Sequence, residues 1–120
     1  MLKKLSDIEV YRLAKELSNI IWDIVKNWNY FERDTIGKQI AIASDSISAN
    51  IAECHGRFHY KDRQKFGYYA RGSLEETKSW IRKSYERGLI NKRKTMEIEK
   101  YLNEIGPKLT GLINTFKLPR

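Results

Sequence analysis

The 120-residue chain has one cysteine, two prolines and no long run of apolar residues. Because Cys54 is alone, no internal disulfide can form. The most apolar stretch, residues 17–28, is interrupted by Asp23 and Lys26 and is shorter than the roughly 20 residues that cross a bilayer. Residues 1–8 carry charges where a signal peptide has its apolar core. These absences predict a cytoplasmic protein with a reduced thiol, no membrane span and no membrane partner.

The residues that are abundant favour helix. Lysine, glutamate, leucine, isoleucine and alanine are common, and the scarcity of proline leaves few positions where a helix must stop. A chain of this length fits one domain with one core and is too short for two. We therefore expect a single all-α domain with no strand.

Apolar residues recur every three or four positions in four segments, as they do on the buried face of a helix. The predicted helices cover about residues 7–28, 35–55, 62–87 and 92–117. The connections of about four to seven residues are too short for crossovers, so successive helices should pack antiparallel. The predicted fold is an up-down-up-down antiparallel four-helix bundle.

Several residues suggest where these helices begin, end or bend. Asp34 or Thr35 is a candidate N-cap for the second helix, and Asn91 for the fourth. Gly88 suits the end of the third helix, where a left-handed residue is common. Pro107 removes a hydrogen bond inside the fourth helix, which predicts a kink or a break at that point.

Positive charge is concentrated in one part of the sequence. Residues 57–94 hold twelve lysines and arginines against four acidic residues, which accounts for the whole formal excess of +8. The rest of the chain is balanced. Confined basic surfaces are typical of proteins that bind polyanions, because lysine and arginine displace the counterions condensed on phosphate backbones.

A second set of apolar residues points away from the predicted core. Tyr11 and Trp22 lie off the core line of the first helix, and Ile42 and Ala49 off that of the second. Isolated surface apolar residues are common, which is the alternative interpretation. Bulky residues beside a line of small ones suit packing between subunits, so we predict a homo-oligomer interface through these four residues.

Two segments resemble a known family. Residues 46–53 read SISANIAE and residues 70–76 read ARGSLEE, which is similar to the S-I-P-A-N-I-A-E-G and G-S-L-x-E patterns of bacterial 23S rRNA intervening-sequence proteins. Ser48 stands where that family usually has proline, and Cys54 where it usually has glycine. The resemblance covers nearly the whole chain.

The resemblance implies a small basic helical bundle. That family is also similar to the accessory proteins of diversity-generating retroelements. This second resemblance implies a pentamer and nucleic-acid binding through basic surfaces. It supplies no catalytic residues to carry over.

The basic segment gives the candidate nucleic-acid site. Arg71, Lys78 and Arg82 lie on one line of the third helix, which we place opposite the core. The predicted nucleic-acid-binding residues are Arg57, Lys61, Arg63, Lys65, Arg71, Lys78, Arg82, Arg87, Lys92, Arg93 and Lys94. The alternative is a solvated face in which Glu75 pairs with Arg71 and Glu86 with Arg82.

Aromatic residues are interleaved with these cations. Phe58, Tyr60 and Tyr68 are predicted to face outward, where they can stack on unpaired bases. Phe66 and Tyr69 lie on or beside the core line and are predicted to pack inside.

Other combinations of residues point to structure rather than chemistry. Cys54, His55 and His59 have no second ligand pair elsewhere, so we predict no metal and no cofactor. Asp45 is only loosely aligned with Glu53, so nuclease chemistry is not supported. Asn50 and Glu53 are predicted to fix the register between helices or subunits.

The sequence thus predicts a cytoplasmic, non-enzymatic homo-oligomer that binds RNA or DNA mostly through phosphate contacts, without strong sequence readout. The alternative is an interaction protein whose basic face docks an acidic protein partner.

Overall fold

The computed structural model describes residues 4–5 and 8–116 and is almost entirely helical over that part. Four long helices make up the fold. They are α1, Glu9–Val25; α2, which runs without a break through Tyr30–Glu32, the π-helical turn Arg33–Gly37 and Lys38–Gly56; α3, Tyr60–Glu86; and α4, Lys92–Asn114. No strand occurs in the described residues, as predicted.

Each helix packs against its neighbours in sequence, and α4 packs back against α1. At one end of the bundle, Lys108 near the end of α4 pairs with Glu9 at the start of α1, at 3.4 Å. The molecule measures 50 × 23 × 23 Å, close to the length of one long helix at ~1.5 Å per residue. The predicted all-α four-helix bundle is confirmed.

The start of α2 differs from the prediction. The helix begins at Tyr30, after an extended N-cap at Asn29, and not at residue 35. Neither Asp34 nor Thr35 is a cap. The Thr35 hydroxyl instead donates to the carbonyl of Phe31 at 2.7 Å inside the helix. The prediction failed because a helix was located by apolar residues at helical spacing. No residue of Tyr30–Glu32 is buried, so this first turn leaves no such pattern before Ile36.

A close contact between α1 and α2 accompanies the π turn. Gly37 is buried at its end, and a Cβ atom there would lie 2.9 Å from Cγ1 of Val25 and 3.0 Å from the carbonyl oxygen of Glu32. Only glycine allows the helices to approach this closely without displacing the backbone. The extra residue of a π turn is a common way to adjust helix register at such a contact.

The predicted ends of the other helices are mostly close to the observed ones. Asn91 caps α4, accepting from the Lys94 amide at 2.8 Å, and Gly88 has a positive φ of 74° after α3. The first helix was predicted to end at residue 28 and ends three residues earlier, at Val25. The predicted start of that helix, residue 7, and the predicted end of the fourth, residue 117, lie outside the described residues.

Helix α4 continues through Pro107, so a break does not occur there, and the predicted kink stays a prediction. Pro107 is exposed, and so is Asn103 four residues earlier. Water can therefore hydrogen-bond the Asn103 carbonyl that the proline leaves without an amide donor.

The core is aliphatic, with a small number of hydroxyl groups. Its buried members come from all four helices and include Leu17, Ile21, Ile40, Ile47, Ile51, Leu74, Ile81, Ile98, Ile105 and Leu109. Buried Thr77 and Ser84 donate to backbone carbonyls one turn earlier, at 2.8 Å each. Among the described residues no buried side-chain nitrogen or oxygen lacks a hydrogen-bond partner, so this core has no polar group that requires a ligand.

Candidate nucleic-acid interface

Most of the cations in residues 57–94 are not neutralised by carboxylates. Three of the twelve form ion pairs: Arg57 with Glu53, Lys78 with Glu75, and Lys94 with Glu97. The pairs Glu75–Arg71 and Glu86–Arg82, on which the solvated-face alternative rested, do not form. The structure records no ion pair, hydrogen bond or ring contact, within the residues it describes, for the side chains of Lys61, Arg82, Arg87, Lys92 and Arg93. These five are the cations most available to a phosphate.

The central row of the predicted site lies on the flank of α3 next to α4, and not opposite the core as predicted. The Arg71 guanidinium donates to the hydroxyl of Thr110 on α4 at 3.3 Å. Lys78 and Arg82 line a groove of about 260 Å³ together with α4 residues, including Glu99. The prediction was wrong because the buried face of α3 turns toward the bundle axis between α2 and α4, so a row about 90° away faces a neighbouring helix.

The outward face of α3 is not uniformly basic. Glu75 and Glu76 are exposed near its middle, while basic residues lie toward both termini. Since α3 has 27 residues, its two basic ends are separated by most of the bundle's length. The site is therefore two basic ends joined by a mixed central region, and not one continuous ridge.

We call the first of these the α2–α3 end; it comprises residues 57–65. Arg57 lies with its guanidinium carbon 4.4 Å from the centre of the Phe66 ring and pairs with Glu53 at 2.9 Å. The Arg63 Nε donates to the Arg57 carbonyl at 2.6 Å. Arg63 also lies near the Phe116 ring, at 5.7 Å. These contacts link the connection to α2, α3 and the residues after α4.

Cys54, at the buried end of α2, contacts the same connection. Its buried Sγ donates to the Arg63 carbonyl at 3.1 Å, which joins the end of α2 to the first turn of α3. Burial raises the pKa of this thiol to about 11, against a smaller opposing effect of the Arg63 charge. A neutral, buried thiol is a poor nucleophile, so Cys54 acts as a structural residue, as predicted from its place on the apolar line.

The second basic region, the α3–α4 end, comprises residues 82–94 and belongs to the other end of the bundle. Arg87, Lys92 and Arg93 are exposed there. Lys83, which was not among the predicted residues, lies over the Trp80 ring at 5.3 Å and lines a groove with Arg87 and Lys38. Lys83 was missed because it falls outside the row of Arg71; its position on the outward side of α3 was the available signal.

The aromatic residues divide largely as predicted. Phe58, Tyr60 and Tyr68 are 86%, 45% and 50% exposed. Phe66 is half-buried and packs edge-on against Tyr69 at 5.4 Å between ring centres. Tyr69 was predicted to pack inside, but it is 48% exposed, because it lies about 100° around α3 from its buried neighbour Ala70.

The four residues predicted to form an oligomer interface do not share one surface. Trp22 and Ile42, each more than half exposed, line one apolar groove between α1 and α2 together with Asp45. Partial burial raises the pKa of the Asp45 carboxyl. Ala49 is exposed further along α2, and Tyr11 is partly buried against the core.

Within the described residues, the polar contacts of the Asn50 and Glu53 side chains are local. The Asn50 amide donates to the Ser46 carbonyl in the same helix at 2.9 Å, and Glu53 pairs with Arg57 just beyond it. Neither contact joins one helix of the bundle to another, so these residues do not fix the register between helices. A role in the register between subunits stays a prediction.

The described residues offer neither a metal-binding cluster nor a membrane span. Within them no group of three or more histidine, cysteine, aspartate or glutamate side chains is arranged to hold a metal ion. No helix in that part of the chain combines the length and apolar character needed to cross a membrane.

These features define a small four-helix bundle whose excess cations lie at the two ends of one helix. The family model of the 23S rRNA-intervening sequence proteins matches residues 6–111, and the chain belongs to that family. The resemblance found in SISANIAE and ARGSLEE is thereby confirmed.

Similarity to a solved structure supports the fold. The chain is similar to a crystal structure of a protein of unknown function from the S23 ribosomal protein family of Bacteroides thetaiotaomicron VPI-5482. The TM-score is 0.81 at 24% identity, covering 88% of this chain and 95% of the other. At that identity the similarity shows the fold alone. No curated protein sequence matches this chain.

Proposed function

We propose that this protein is a non-enzymatic, cytoplasmic nucleic-acid-binding protein that contacts phosphates through the two basic ends of α3. The observation that carries the proposal is that nine of the twelve cations in residues 57–94 form no ion pair within the described part of the chain. Unpaired surface cations attract polyanions strongly, whereas paired ones are already neutralised.

The shape of the site supports phosphate contact without sequence readout. Two basic ends on a molecule 50 Å long can meet phosphates more than a turn of duplex apart, since a turn is ~34 Å. No helix-turn-helix, zinc-finger or RNP sequence signature is present. The name of the family refers to 23S rRNA, which makes RNA the first probe to test.

The affinity for nucleic acid tests the proposal directly. Arg82, Arg87 and Arg93 are changed together to Gln, and binding of labelled structured RNA and duplex DNA is measured at low salt. A matched control changes Lys15 on α1, Lys26 directly after α1 and Lys100 on α4 to Gln, which removes the same charge elsewhere. We expect the first variant to lose at least tenfold in affinity, and the control to lose much less.

Two results would contradict the proposal. Equal losses in the two variants would mean that net charge, and not the ends of α3, determines binding. Absence of binding by the unchanged protein would favour the alternative, in which the same basic ends dock an acidic protein. Binding of an acidic polypeptide that is abolished by the three arginine substitutions would support that alternative.

We also propose that the protein is a homo-oligomer, a pentamer by family resemblance, associating through the groove of Trp22 and Ile42. Two large apolar side chains that are more than half exposed in one groove suit contact with another subunit. Ile42→Glu should lower the mass measured by light scattering, whereas Met96→Glu, at an exposed apolar residue of α4, should leave it unchanged. A monomeric unchanged protein would refute this part.

A further inference from the structure

The connection between α2 and α3 exposes an aromatic ring among cations. Phe58 is 86% exposed, the largest exposure among the exposed large apolar residues of the described chain. Its one recorded ring contact is with His59, edge-on at 5.1 Å between ring centres. Phe58, His59, Tyr60 and Lys61 line one shallow hollow at this end of the bundle. Covering such a ring with a flat partner removes apolar surface from water and therefore favours binding.

The backbone that carries Phe58 is held in place on both sides. Arg57 before it is fixed by Glu53 and by the Phe66 ring, at 2.9 and 4.4 Å. The Arg57 carbonyl accepts from Arg63 at 2.6 Å, and the sulfur of Cys54 bonds the Arg63 carbonyl. A ring presented on a fixed backbone has less conformational entropy to lose when it binds.

The charge next to the ring suits a nucleic-acid strand. Lys61 lines the same hollow and forms no ion pair in the described part of the chain, and exposed Lys65 follows one turn later. Phosphate contact with Lys61 would bring the neighbouring base to the face of Phe58. Bases in a duplex are already stacked, so this contact requires unpaired nucleotides.

The α3–α4 end does not offer the same combination. In its connection Leu89 is half-buried and Ile90 is buried. The exposed rings of Tyr30 and Phe31 lie at that end of the bundle. The groove that Phe31 lines holds the cations Lys38, Lys83 and Arg87, but also the carboxylates of Glu32 and Asp34, whose negative charge opposes an approaching phosphate.

We infer that the α2–α3 end binds unpaired nucleotides, with Phe58 stacking on a base and Lys61 contacting an adjacent phosphate, while the α3–α4 end contacts phosphates alone. The inference rests on the proposed function and specifies its target: nucleic acid with single-stranded segments, RNA or DNA.

The test separates stacking from charge. Four probes are compared: single strands of RNA and of DNA of about 20 nucleotides, an abasic strand of the same length, and a duplex of about ten base pairs, which carry similar numbers of phosphates. The variants are Phe58→Ala, Phe58→Trp and, as the matched control, Tyr30→Ala, which removes a ring of similar exposure, 73%, from α2. Since neither ring belongs to the core, circular dichroism should show the variants folded.

We expect Phe58→Ala to weaken binding of both base-bearing single strands roughly five- to hundredfold, the range for removal of one base–aromatic stack. Binding of the duplex and the abasic strand should change less than twofold. Phe58→Trp should retain or improve single-strand binding, and Tyr30→Ala should leave it unchanged. The RNA and DNA arms show which sugar is preferred.

Failure of this inference is distinguishable from failure of the proposed function. Salt-sensitive binding of single strands that is equal for Phe58→Ala and the unchanged protein would overturn the inference and leave phosphate binding intact. Equal affinity of the unchanged protein for the abasic and base-bearing strands would do the same. Absence of binding to every probe would overturn both.

Discussion

Replacing Gly67 by alanine should destabilise the bundle, although alanine is the better helix former. Gly67 lies on the buried face of α3, and a Cβ atom there would lie 2.7 Å from Cγ1 of Ile113 on α4. Ile113 is 2% exposed, so its side chain cannot turn into solvent. Overpacking of this kind costs about 1–3 kcal/mol, whereas the gain in helix propensity is about 1 kcal/mol.

Gly72 provides the matched control in the same helix. A Cβ atom there has nothing within 4 Å, so Gly72→Ala gains helix propensity with no clash and should stabilise the protein by about 0.5–1 kcal/mol. Because the propensity gain is common to both variants, the difference between their free energies of unfolding isolates the clash. We expect the Gly67→Ala variant to be less stable than the Gly72→Ala variant by about 1–3 kcal/mol.

Urea unfolding followed by circular dichroism, at one protein concentration, measures this difference. Equal stability of the two variants would refute the close approach of α3 and α4 from which the clash arises. A second comparison guards against a general effect of the substitution. In an Ile113→Ala background the clashing Cγ1 atom is absent, so Gly67→Ala should cost far less there, giving a non-additive double-mutant cycle.

Three further predictions concern individual residues. Asn91→Ala should destabilise the protein by about 1 kcal/mol because the α4 cap is removed, whereas Asn103→Ala, in the exposed interior of α4, should be neutral or stabilising by urea unfolding; equal destabilisation would refute the cap. Gly37→Ala should lower the melting temperature by several degrees, because its Cβ atom would meet the Glu32 carbonyl and Val25; an unchanged value would contradict the tight α1–α2 contact. Burial raises the pKa of Cys54 from 9.0 to about 11, so between these values the folded protein holds a proton that the unfolded chain has released, and stability should fall as the pH rises through this range. Cys54→Ala should remove that part of the pH dependence, and an identical decline in both proteins would show that the thiol is not its source.

Much of the fold could be predicted because it depends on local periodicity. The stripes containing Leu17, Ile47 and Leu109 recur at helical spacing, and each residue is fully buried. The Asn91 side chain caps an amide three residues later, and Gly88 ends α3 through its own positive φ. Both effects are local in sequence, so their roles were also visible there.

What could not be predicted depends on contacts between helices. The early start of α2 and its π turn accompany the approach of Gly37 to Val25, a distance that no single-helix pattern contains. The placement of Arg71 beside Thr110 required the direction in which α3 faces the bundle axis. Glu75 pairs with Lys78 rather than Arg71, a choice set by side-chain rotamers and not by spacing alone.

The salt dependence of RNA binding tests the central claim most directly. The logarithm of the binding constant is measured against the logarithm of salt concentration for the unchanged protein and for the variant with Arg82, Arg87 and Arg93 replaced by Gln. If these unpaired cations bind phosphates, the slope should become shallower by about 2–3 in the variant, close to one for each phosphate that is no longer neutralised. An unchanged slope would show that the basic ends of α3 do not carry the interaction.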